Sequence, residues 1–544
     1  MLIKNKKDMS SKLKVLLITY DNDSYTAWFP QGLAAVGAVL KQEDYEISVW
    51  DQDINHYPDE QLTEYLNNNY FDVVGISVIA GYWQYKKLLA LSDAIAKSRN
   101  RPGLYVIGGY GPSPEPSYFL RKTQADVVVM GEGEDTTREL LASYSSGGFD
   151  AIKKVTGIAY REGDEIKRTL HRQLIPADQL DNVDRVPIPA YDLFDMKVYR
   201  MYHSKRCRKT DFAMPVLSGR GCTFKCNFCY RMDTGFRPRS PESILEEIDI
   251  LQLNYGINYI MFSDDLLMVS RKRTLELAEA FIKHQEKTGR KFKWNCNGRL
   301  NYCTPDILNT MEKAGCVFIN YGIEAFDNPT LKIMQKALTT DVIVRGVEQT
   351  LKTNISPGLN LIWGNIGETK KTLQKALDFL IKYDDHAQLR TIRPVTPYPG
   401  SPLYFEAIKR GLLDKDNPAE DFYERKHLNS DLLACNFTDL PDQEFHGALA
   451  EANKQLIDNY LEHQHKRYHD QTDKLYYEQD IHFRGYRQGS NTDGQDKIVM
   501  TGEDERLQAK IKKANMINSG ESHSHVADGS TEGDGRSLGL GGAY

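Results

Sequence analysis

Disulfide frameworks, long apolar runs and strong net charge are all missing from this chain of 544 residues. Its eight cysteines are spread over too long a chain to form the disulfide framework of a small secreted domain. No apolar run approaches the roughly 20 residues of a membrane helix, and a net charge of -6 gives no basic surface for nucleic acid. The polar, lysine-rich start does not resemble a secretory signal. We therefore expect a cytoplasmic protein without a membrane span or a nucleic-acid partner.

Two common nucleotide-binding patterns are absent as well. Neither the phosphate loop G-x-x-x-x-G-K-S/T nor the dinucleotide fingerprint G-x-G-x-x-G occurs, so neither ATP nor NAD is predicted. The apolar fraction of 40% is typical of a globular protein. The length allows two or three domains.

One short stretch, GRGCTFKCNFCY from Gly219 to Tyr230, carries most of the chemical information. Its cysteines have the spacing C-x3-C-x2-C. Cys222, Cys226 and Cys229 can hold three corners of an iron–sulfur cluster and leave the fourth iron open. A catalytic metal site needs such an open coordination position. These three cysteines are therefore predicted to ligate a 4Fe-4S cluster.

A zinc knuckle and a chance grouping of cysteines are the alternatives. Structural zinc normally takes four protein ligands, often as two pairs, and this chain has no second C-x-x-C pair. The other cysteines lie apart from the loop, most of them where a small buried hydrophobic residue would fit. They are Cys207, Cys296, Cys303, Cys316 and Cys435. An open cluster therefore explains the spacing better than zinc does.

The first segment of the chain, residues 13–150, alternates strand and helix patterns. Strands are predicted at residues 13–20, 46–50, 72–79, 104–109 and 126–130. This alternation indicates a doubly wound, Rossmann-like parallel sheet in an α/β protein. Ligands of such sheets lie beyond the carboxyl ends of the strands, where glycine-rich turns occur here. The residues alone leave open whether this domain binds a ligand or packs on its neighbour.

A second alternating segment, residues 212–410, follows a hairpin and a proline-marked linker at residues 151–211. Six strand–helix units are predicted in it, with polar residues just after the strands, as at the mouth of a β/α barrel. These polar groups are Asp264-Asp265, Asn297-Gly298-Arg299, Gly322-Ile323-Glu324, Gly364 to Glu368 and Pro397 to Ser401. The pattern indicates a partial (β/α)6 barrel whose cavity the cysteine loop faces.

Two further segments follow the predicted barrel. Residues 411–484 are predicted to be mainly helical. The run of His463, His465, Lys466, Arg467 and His469 indicates a solvated helix face, with a metal site as the alternative. Residues 485–544 are rich in small and polar residues and are predicted to be largely disordered.

The cysteine loop resembles the signature of the radical S-adenosylmethionine (radical SAM) superfamily. Phe228 supplies the aromatic residue that usually precedes the last cysteine of that motif. The order of the polar groups after the strands is similar too. The first segment resembles the branch with an N-terminal cobalamin-binding domain, through residues 30–34, 72–77, 107–109 and 130–134. The resemblance covers roughly residues 13–410.

The resemblance implies an enzyme with three cofactors: a 4Fe-4S cluster, SAM and cobalamin. SAM would be cleaved to a 5′-deoxyadenosyl radical, with electrons from a donor such as flavodoxin or ferredoxin. The implied SAM contacts are Tyr230, Asp264, Asp265, Arg299 and Glu324. The implied cobalamin contacts are Gly32, Ser77, Gly108, Gly109, Tyr110, Gly131 and Glu132. Arg299 and Glu324 have an alternative role as structural groups of the barrel.

Two departures from the family pattern affect these expectations. The cobalamin motif D-x-H-x-x-G is missing, and Tyr110 stands where many relatives have a histidine. We therefore expect no histidine from this position on cobalt. Residues 364–368 are Gly-Asn-Ile-Gly-Glu, where relatives commonly have Gly-Phe-Pro-Gly-Glu. We expect Asn365 to border the cavity and to reflect the choice of substrate.

The leading functional hypothesis is a cobalamin-dependent methyltransferase. It would methylate an unactivated carbon, or phosphorus, of a small-molecule or peptide substrate. Cyclisation or rearrangement without net methyl transfer is one alternative, and a non-catalytic cobalamin or redox sensor is another. A tRNA methylthiotransferase is disfavoured, because its N-terminal domain needs cysteines and the first cysteine here is Cys207.

Overall fold

The computed structural model describes residues 12–24, 26–208 and 210–479, which lie within one compact unit. The tail for which disorder was predicted, residues 485–544, lies outside the described residues. Two large sheets organise the described part, one for each alternating segment of the sequence. None of the helices described here is both long and apolar enough to cross a membrane.

The first sheet contains the five predicted strands and extends beyond them. Its strands are β1 (Lys14–Thr19), β2 (Glu46–Asp51), β3 (Val73–Ser77), β4 (Leu104–Gly108), β5 (Val127–Val129), β6 (Ile158–Glu162) and β7 (Glu165–Arg168). Their order is β2-β1-β3-β4-β5-β6-β7. The first five are parallel, while β6 and β7 are antiparallel. The hairpin that was grouped with the linker therefore belongs to this sheet.

Helices connect the parallel strands of this sheet, so its central strands are apolar along their length. They are α1 (Gln31–Gln42), α2 (Gln52–Asn55), α3 (Asp59–Asn68), α4 (Tyr82–Lys97), α5 (Pro116–Thr123) and α6 (Glu134–Ile152), and α7 (Met196–Tyr199) lies in the linker. Every residue of β1 after Lys14 is buried, as expected for a strand covered on both faces. The strand order reverses beside β1, which opens a crevice at the carboxyl ends of β1 and β3.

The second sheet is the predicted partial barrel. Its strands, with the short ribbon β9–β10, are β8 (Ala213–Val216), β9 (Gly219–Arg220), β10 (Arg237–Pro238), β11 (Tyr259–Phe262), β12 (Lys293–Gly298), β13 (Cys316–Glu324), β14 (Ser356–Trp363) and β15 (Ile392–Pro394). Six of them form a parallel sheet in the order β15-β14-β13-β12-β11-β8. Strands β12 and β13 are longer than predicted, so Asn297 and Glu324 lie within them rather than after them.

Helices cover the outer face of this sheet and form the C-terminal segment. They are α8 (Pro241–Tyr255), α9 (Arg271–Thr288), α10 (Pro305–Lys313), α11 (Asn328–Ile333), α12 (Thr340–Thr350), α13 (Lys370–Tyr383), α14 (Pro402–Lys409), α15 (Pro418–Glu420) and α16 (Asp442–Tyr476). Helix α8 begins as its sequence predicts, because the Ser240 hydroxyl accepts a hydrogen bond from the Ser243 amide and Pro241 occupies the first turn.

An ion-pair cluster joins the two sheets beside the cysteine loop. Arg220 contacts Glu132 at 2.7 Å and Glu134 at 2.5 Å, and Arg237 contacts Glu132 at 3.0 Å and Asp233 at 2.7 Å. No side chain in the cluster is more than 17% exposed. Burial opposes ionisation of Glu132, yet the two arginines outweigh it and lower its pKa. The cluster therefore fixes the end of β5 against the ribbon β9–β10.

Arg237→Ala should lower the free energy of unfolding by about 3 kcal/mol, because two buried carboxylates would lose a charged partner. Denaturant unfolding of the apo protein measures this loss. Arg271→Ala is the matched control, since its pair with Asp306 is 64% and 47% exposed and should contribute less than about 1 kcal/mol. Equal losses for the two variants would show that the junction is not held by these charges.

Candidate active site

The cysteine loop, residues 221–236, is closed at its base by the ribbon β9–β10. Inside the ribbon, Cys222 forms a bridge with Thr234. Gly221 has a φ of 78°, and a Cβ there would lie 2.4 Å from the carbonyl oxygen of Gly235. Only glycine fits where the two ends of the loop come this close. The glycine therefore fixes the position of the first cysteine.

The three thiols of the loop share one recess. Cys226 is buried, Cys222 is half-buried and Cys229 is exposed. Burial nevertheless raises the pKa of Cys229 to about 12, with added effects from the charges of Asp265, Cys226 and Cys222. A thiol that is accessible and yet largely surrounded by protein faces a recess rather than an open surface.

The three thiols of the loop are the kind of donors that a 4Fe-4S cluster takes. The cysteines of such a cluster bind different irons, so they do not need to converge on one metal position. All three are free of disulfides. The donor set therefore matches the predicted cluster.

Arg299 supports the loop from the barrel side. Its guanidinium carbon lies 3.5 Å from the centroid of the Phe224 ring, and it donates hydrogen bonds to the Lys336 carbonyl and to Asn301. Burial lowers its pKa, which the neighbouring thiol of Cys226 partly offsets. These contacts favour the structural alternative for Arg299. A direct contact with SAM stays a prediction.

Glu324 and Lys336 form a buried pair next to the loop. Glu324 has a φ of 69°, an unusual conformation for a residue with a Cβ. Its Oε1 accepts a hydrogen bond from Lys336 Nζ at 3.1 Å, while its Oε2 is buried without a partner among the described residues. A Cβ on Gly322 would lie 2.4 Å from that Oε1. A free carboxylate oxygen beside an ammonium group fits the amino and carboxylate groups of an amino acid, as in SAM.

Lys336 is a site residue that the sequence analysis missed. It follows α11 between Gln335 and Ala337, both with positive φ. Its ammonium lies 5.6 Å from the centroid of the Phe228 ring. Polar site residues were expected after strands, and this lysine follows a helix instead. Only the positive φ values around it, which sequence does not show, mark it as unusual.

The two predicted aspartates after β11 have different roles. Asp264 is buried and accepts hydrogen bonds at 2.9 Å from both the backbone N–H and the hydroxyl of Ser218. Burial raises the pKa of Asp264 to about 6. Asp265 is exposed and lies near Cys229, whose pKa it helps to raise. Asp265 is therefore available to a ligand in the recess, whereas Asp264 ties β8 to β11.

Two tyrosines bring the sheets together at the recess. Tyr110 follows β4 and Tyr230 follows the last cysteine, and their ring centroids are 6.2 Å apart at an angle of 85°. A Cβ on Gly400 would lie 2.6 Å from the Tyr230 ring, so this glycine lets the ring pack on the turn after β15. Burial raises the pKa of both tyrosines, to about 12 for Tyr230. Both hydroxyls therefore keep their protons at neutral pH.

Glycines border the carboxyl edge of the first sheet. Gly131 has a φ of 81°, and no atom lies within 4 Å of a Cβ added there. Gly109 has a φ of 99°, and an added Cβ would lie 2.4 Å from the Val78 carbonyl oxygen. Gly32 and Ser77 meet in the crevice between β1 and β3, where an added Cβ would lie 3.9 Å from the serine hydroxyl. At these glycine positions, the backbone itself therefore borders the edge.

Apolar side chains with unusually high exposure line the same edge. They are Trp28 (36%), Ile79 (42%), Trp83 (40%) and Tyr110 (39%). Clustered exposed apolar groups of this kind mark a binding surface. Gly108, the last residue of β4, lies directly before Gly109 on this edge. Glu132 differs from the other predicted contacts, because its carboxylate is bound by Arg220, Arg237 and the Ile175 amide.

The C-terminal segment adds a buried histidine that the sequence analysis did not select. His427 is fully buried, and neither ring nitrogen has a partner within the described residues. Its ring stacks on Phe422 at 4.9 Å and lies edge-on to Tyr398 at 5.4 Å. It follows a π-helical turn, Asp421–Lys426, a rare conformation that often occurs near functional sites. Burial lowers the pKa of His427 to about 4.

The histidine run of the sequence lies on α16. His463 stacks on His386 with ring centroids 3.8 Å apart, and His465 lies 4.2 Å from His469. None of them belongs to a group of three potential metal ligands in the described ranges. The structure therefore offers no support for the alternative of a metal site there.

Family models match both halves of this site. Residues 17–141 match the B12 binding domain, and residues 216–380 match the radical SAM superfamily. The chain therefore contains a radical SAM domain that follows an N-terminal B12-binding domain. The radical SAM domain implies a 4Fe-4S cluster and SAM, and the other domain implies cobalamin. The predicted family, fold class and cofactors are thereby confirmed.

Two curated relatives and one solved structure show how far the similarity extends. An uncharacterized methyltransferase of Pyrococcus horikoshii is 28% identical over 443 residues, which are 78% of this chain and 90% of that protein. The anaerobic magnesium-protoporphyrin IX monomethyl ester cyclase of Cereibacter sphaeroides is 26% identical over 389 residues, 70% and 60% of the two chains. The radical S-adenosylmethionine methyltransferase TsrM of Kitasatospora setae, solved with cobalamin and a 4Fe-4S cluster, aligns with a TM-score of 0.66 and 19% identity, over 82% of this chain and 91% of that one.

His427→Phe should make the protein more resistant to acid. Burial lowers the pKa of His427 from 6.5 to about 4, so the unfolded chain binds a proton in this range that the native protein does not. The stability of the wild type is therefore complete above pH 6.5 and falls as the pH drops toward 4, by about 3 kcal/mol. Unfolding between pH 7 and 4 should show this loss in the wild type and in the exposed control His465→Phe, but not in His427→Phe. A parallel loss in all three would contradict the assignment.

Proposed function

We propose that this protein is a cobalamin-dependent methyltransferase that acts on an unactivated carbon, or phosphorus, of a small-molecule or peptide substrate. The observation that carries the proposal is the shared recess, where Cys229 and Tyr230 of the barrel face Tyr110 of the first sheet. Two cofactors held on the two sides of one recess can act on the same substrate atom. Holding both cofactors next to the substrate replaces bimolecular encounters by a reaction within one complex.

The barrel side of the recess would hold the cluster and SAM. When bound, the cofactors supply a 5′-deoxyadenosyl radical and a methyl group. Cys222, Cys226 and Cys229 would ligate three irons, as their spacing and shared recess support. Glu324 would accept hydrogen bonds from the SAM ammonium group, and Lys336 would donate to its carboxylate.

Tyr230 and Asp265 would complete the SAM pocket. The Tyr230 ring packs against the turn after β15, so it would be held in place to contact the adenine of SAM. Asp265 is exposed in the recess and can accept hydrogen bonds from ribose hydroxyls. The required electron would come from a reduced flavodoxin or ferredoxin.

The first sheet would hold cobalamin across its carboxyl edge. Gly131 would let a flat macrocycle approach the backbone, while Gly109 lets the turn after β4 pack against Val78. Trp28, Ile79 and Trp83 would cover the macrocycle and exclude water. Tyr110 keeps its proton, since burial and the nearby charge of Asp265 raise its pKa. A protonated phenol is a poor metal ligand, so we propose that this position orients the corrin rather than coordinating cobalt.

Radical cyclisation without net methyl transfer is the second candidate function. The similarity to a magnesium-protoporphyrin ester cyclase favours it. The two candidates differ in the mass of the product, because only the methyltransferase adds one methyl group. A mass-shift screen of candidate metabolites with the reconstituted enzyme distinguishes them.

Cys226→Ala should abolish the cluster and the cleavage of SAM. Two remaining thiolates cannot hold three irons, so the visible absorbance after anaerobic reconstitution should fall to background. Formation of 5′-deoxyadenosine, measured by mass spectrometry, should vanish with it. Cys435→Ala is the control, since this buried cysteine lies outside the loop. Continued 5′-deoxyadenosine formation by Cys226→Ala would refute the proposed cluster site.

Hydroxocobalamin should bind to the apo protein at about one equivalent, as measured by the change in its visible spectrum. Ile79→Glu should weaken this binding at least about tenfold, because a charge would be placed against the corrin without a partner. Leu253→Glu is the control, since Leu253 is 67% exposed and lies on α8, which covers the outer face of the second sheet. Equal affinities of the two variants would place cobalamin elsewhere.

A further inference from the structure

A pair of buried asparagines ties the cysteine loop to the turn after β14. Asn365 Nδ2 donates to Asn227 Oδ1 at 3.1 Å, and Asn227 Nδ2 donates to Asn365 Oδ1 at 3.3 Å. Asn365 is fully buried, and Asn227 is 7% exposed. The expectation that Asn365 borders the substrate cavity is therefore wrong, because its side chain is enclosed and points into the cysteine loop.

Asn227 occupies a central position in that loop. It follows Cys226 directly and precedes Cys229 by two residues. Its backbone N–H donates to the Met334 carbonyl at 3.0 Å, and its carbonyl accepts from the Leu403 amide at 2.8 Å. The main chain between the two cysteines is thus held at one residue, from the segments after α11 and at the start of α14.

Asn365 is itself fixed before it meets the loop. Its backbone N–H donates to Glu368 Oε2 at 2.9 Å, as does that of Gly364 at 2.8 Å. Its side-chain oxygen also accepts from the Ile366 amide at 2.7 Å. A Cβ on Gly364 would lie 2.7 Å from the Phe445 ring of α16. The turn is therefore rigid and is backed by the C-terminal helix.

We propose that the Asn227–Asn365 pair positions the iron–sulfur cluster. The pair would fix the main chain between Cys226 and Cys229, so that their thiolates keep the separation that a cluster needs. Amides give direction as well as contact, because each hydrogen bond requires a defined geometry. Apolar side chains of similar shape would fill the same space but would not fix the orientation of the loop. The inference rests on the proposed cluster site and assigns it a supporting residue outside the cysteine motif.

Leucine variants separate positioning from packing, since leucine has the same number and branching of side-chain heavy atoms as asparagine. Asn227→Leu and Asn365→Leu each leave one buried amide without its partner, which should lower the Tm of the apo protein. The double variant removes both amides, and replacing both partners by apolar groups is nearly neutral for stability. The Ile366 amide loses its acceptor on Asn365 in the single Asn365 variant and in the double variant alike. The Tm of the double variant should therefore be no lower than that of Asn365→Leu, although Asn227 is replaced as well. Asn453→Leu is the control, because Asn453 bonds Ile392 on the far side of the barrel wall.

Cluster retention is the decisive measurement on the reconstituted proteins. With an iron chelator present, both single variants and the double variant should lose the cluster about tenfold faster than the wild type, and the EPR signal of the reduced cluster should shift. Asn453→Leu should match the wild type in both. The proposal would be overturned if the double variant has a Tm no lower than that of Asn365→Leu and also loses the cluster at the wild-type rate with a wild-type EPR signal. The pair would then contribute only packing.

Two other results bear on the same proposal. Additive Tm losses in the double variant would show that the amides do not interact, and the inference would fall. Absence of a cluster in the wild type would refute the proposed function itself, and the positioning role with it. The Tm values of the single and double variants are measured on the apo protein, without a cluster. Failure of the amide pair can therefore be distinguished from failure of the proposed cluster site.

Discussion

Three thiolates from one short loop must surround a cluster and leave one iron accessible, and the rest of the structure serves that constraint. A loop of this kind has little hydrogen bonding of its own, so its shape comes from its neighbours. The ribbon β9–β10 closes its base around Gly221. Arg299 packs on the loop through Phe224, and Asn365 holds its centre. Each contact comes from a different part of the barrel, so the loop and the barrel form one unit.

The same loop connects the two domains. Arg220 and Arg237 stand at its two ends and reach Glu132 on the first sheet, while Tyr230 meets Tyr110. Buried charges are stable only when paired, so the relative position of the two sheets depends on these contacts. The junction places the carboxyl edge of the first sheet against the open side of the cysteine loop. A recess with two cofactor-binding walls is the consequence.

Much of this could be predicted because the signals are local. The cysteine ligands lie within eight residues of sequence, and the parallel strands are short apolar runs followed by glycine or polar residues. Both patterns depend on neighbouring residues, so the parallel sheet of the first segment and the partial barrel followed from them, and the three cysteines were selected as cluster ligands. The lengths of β12 and β13 were underestimated, because polar residues such as Asn297 were taken as the end of a strand, although one face of a barrel strand can be polar.

Residue patterns thus determined which segments form strands and helices and which thiols can ligate iron. Tertiary structure alone decided the partners of individual polar side chains. Glu132, an implied cobalamin contact, pairs with arginines far away in sequence. Asn365 was expected at the substrate and instead bonds Asn227, while Lys336 and His427 gave no signal at all. The physical reason is that the role of a buried polar group depends on which groups from distant parts of the sequence are buried beside it. Sequence spacing does not contain that information.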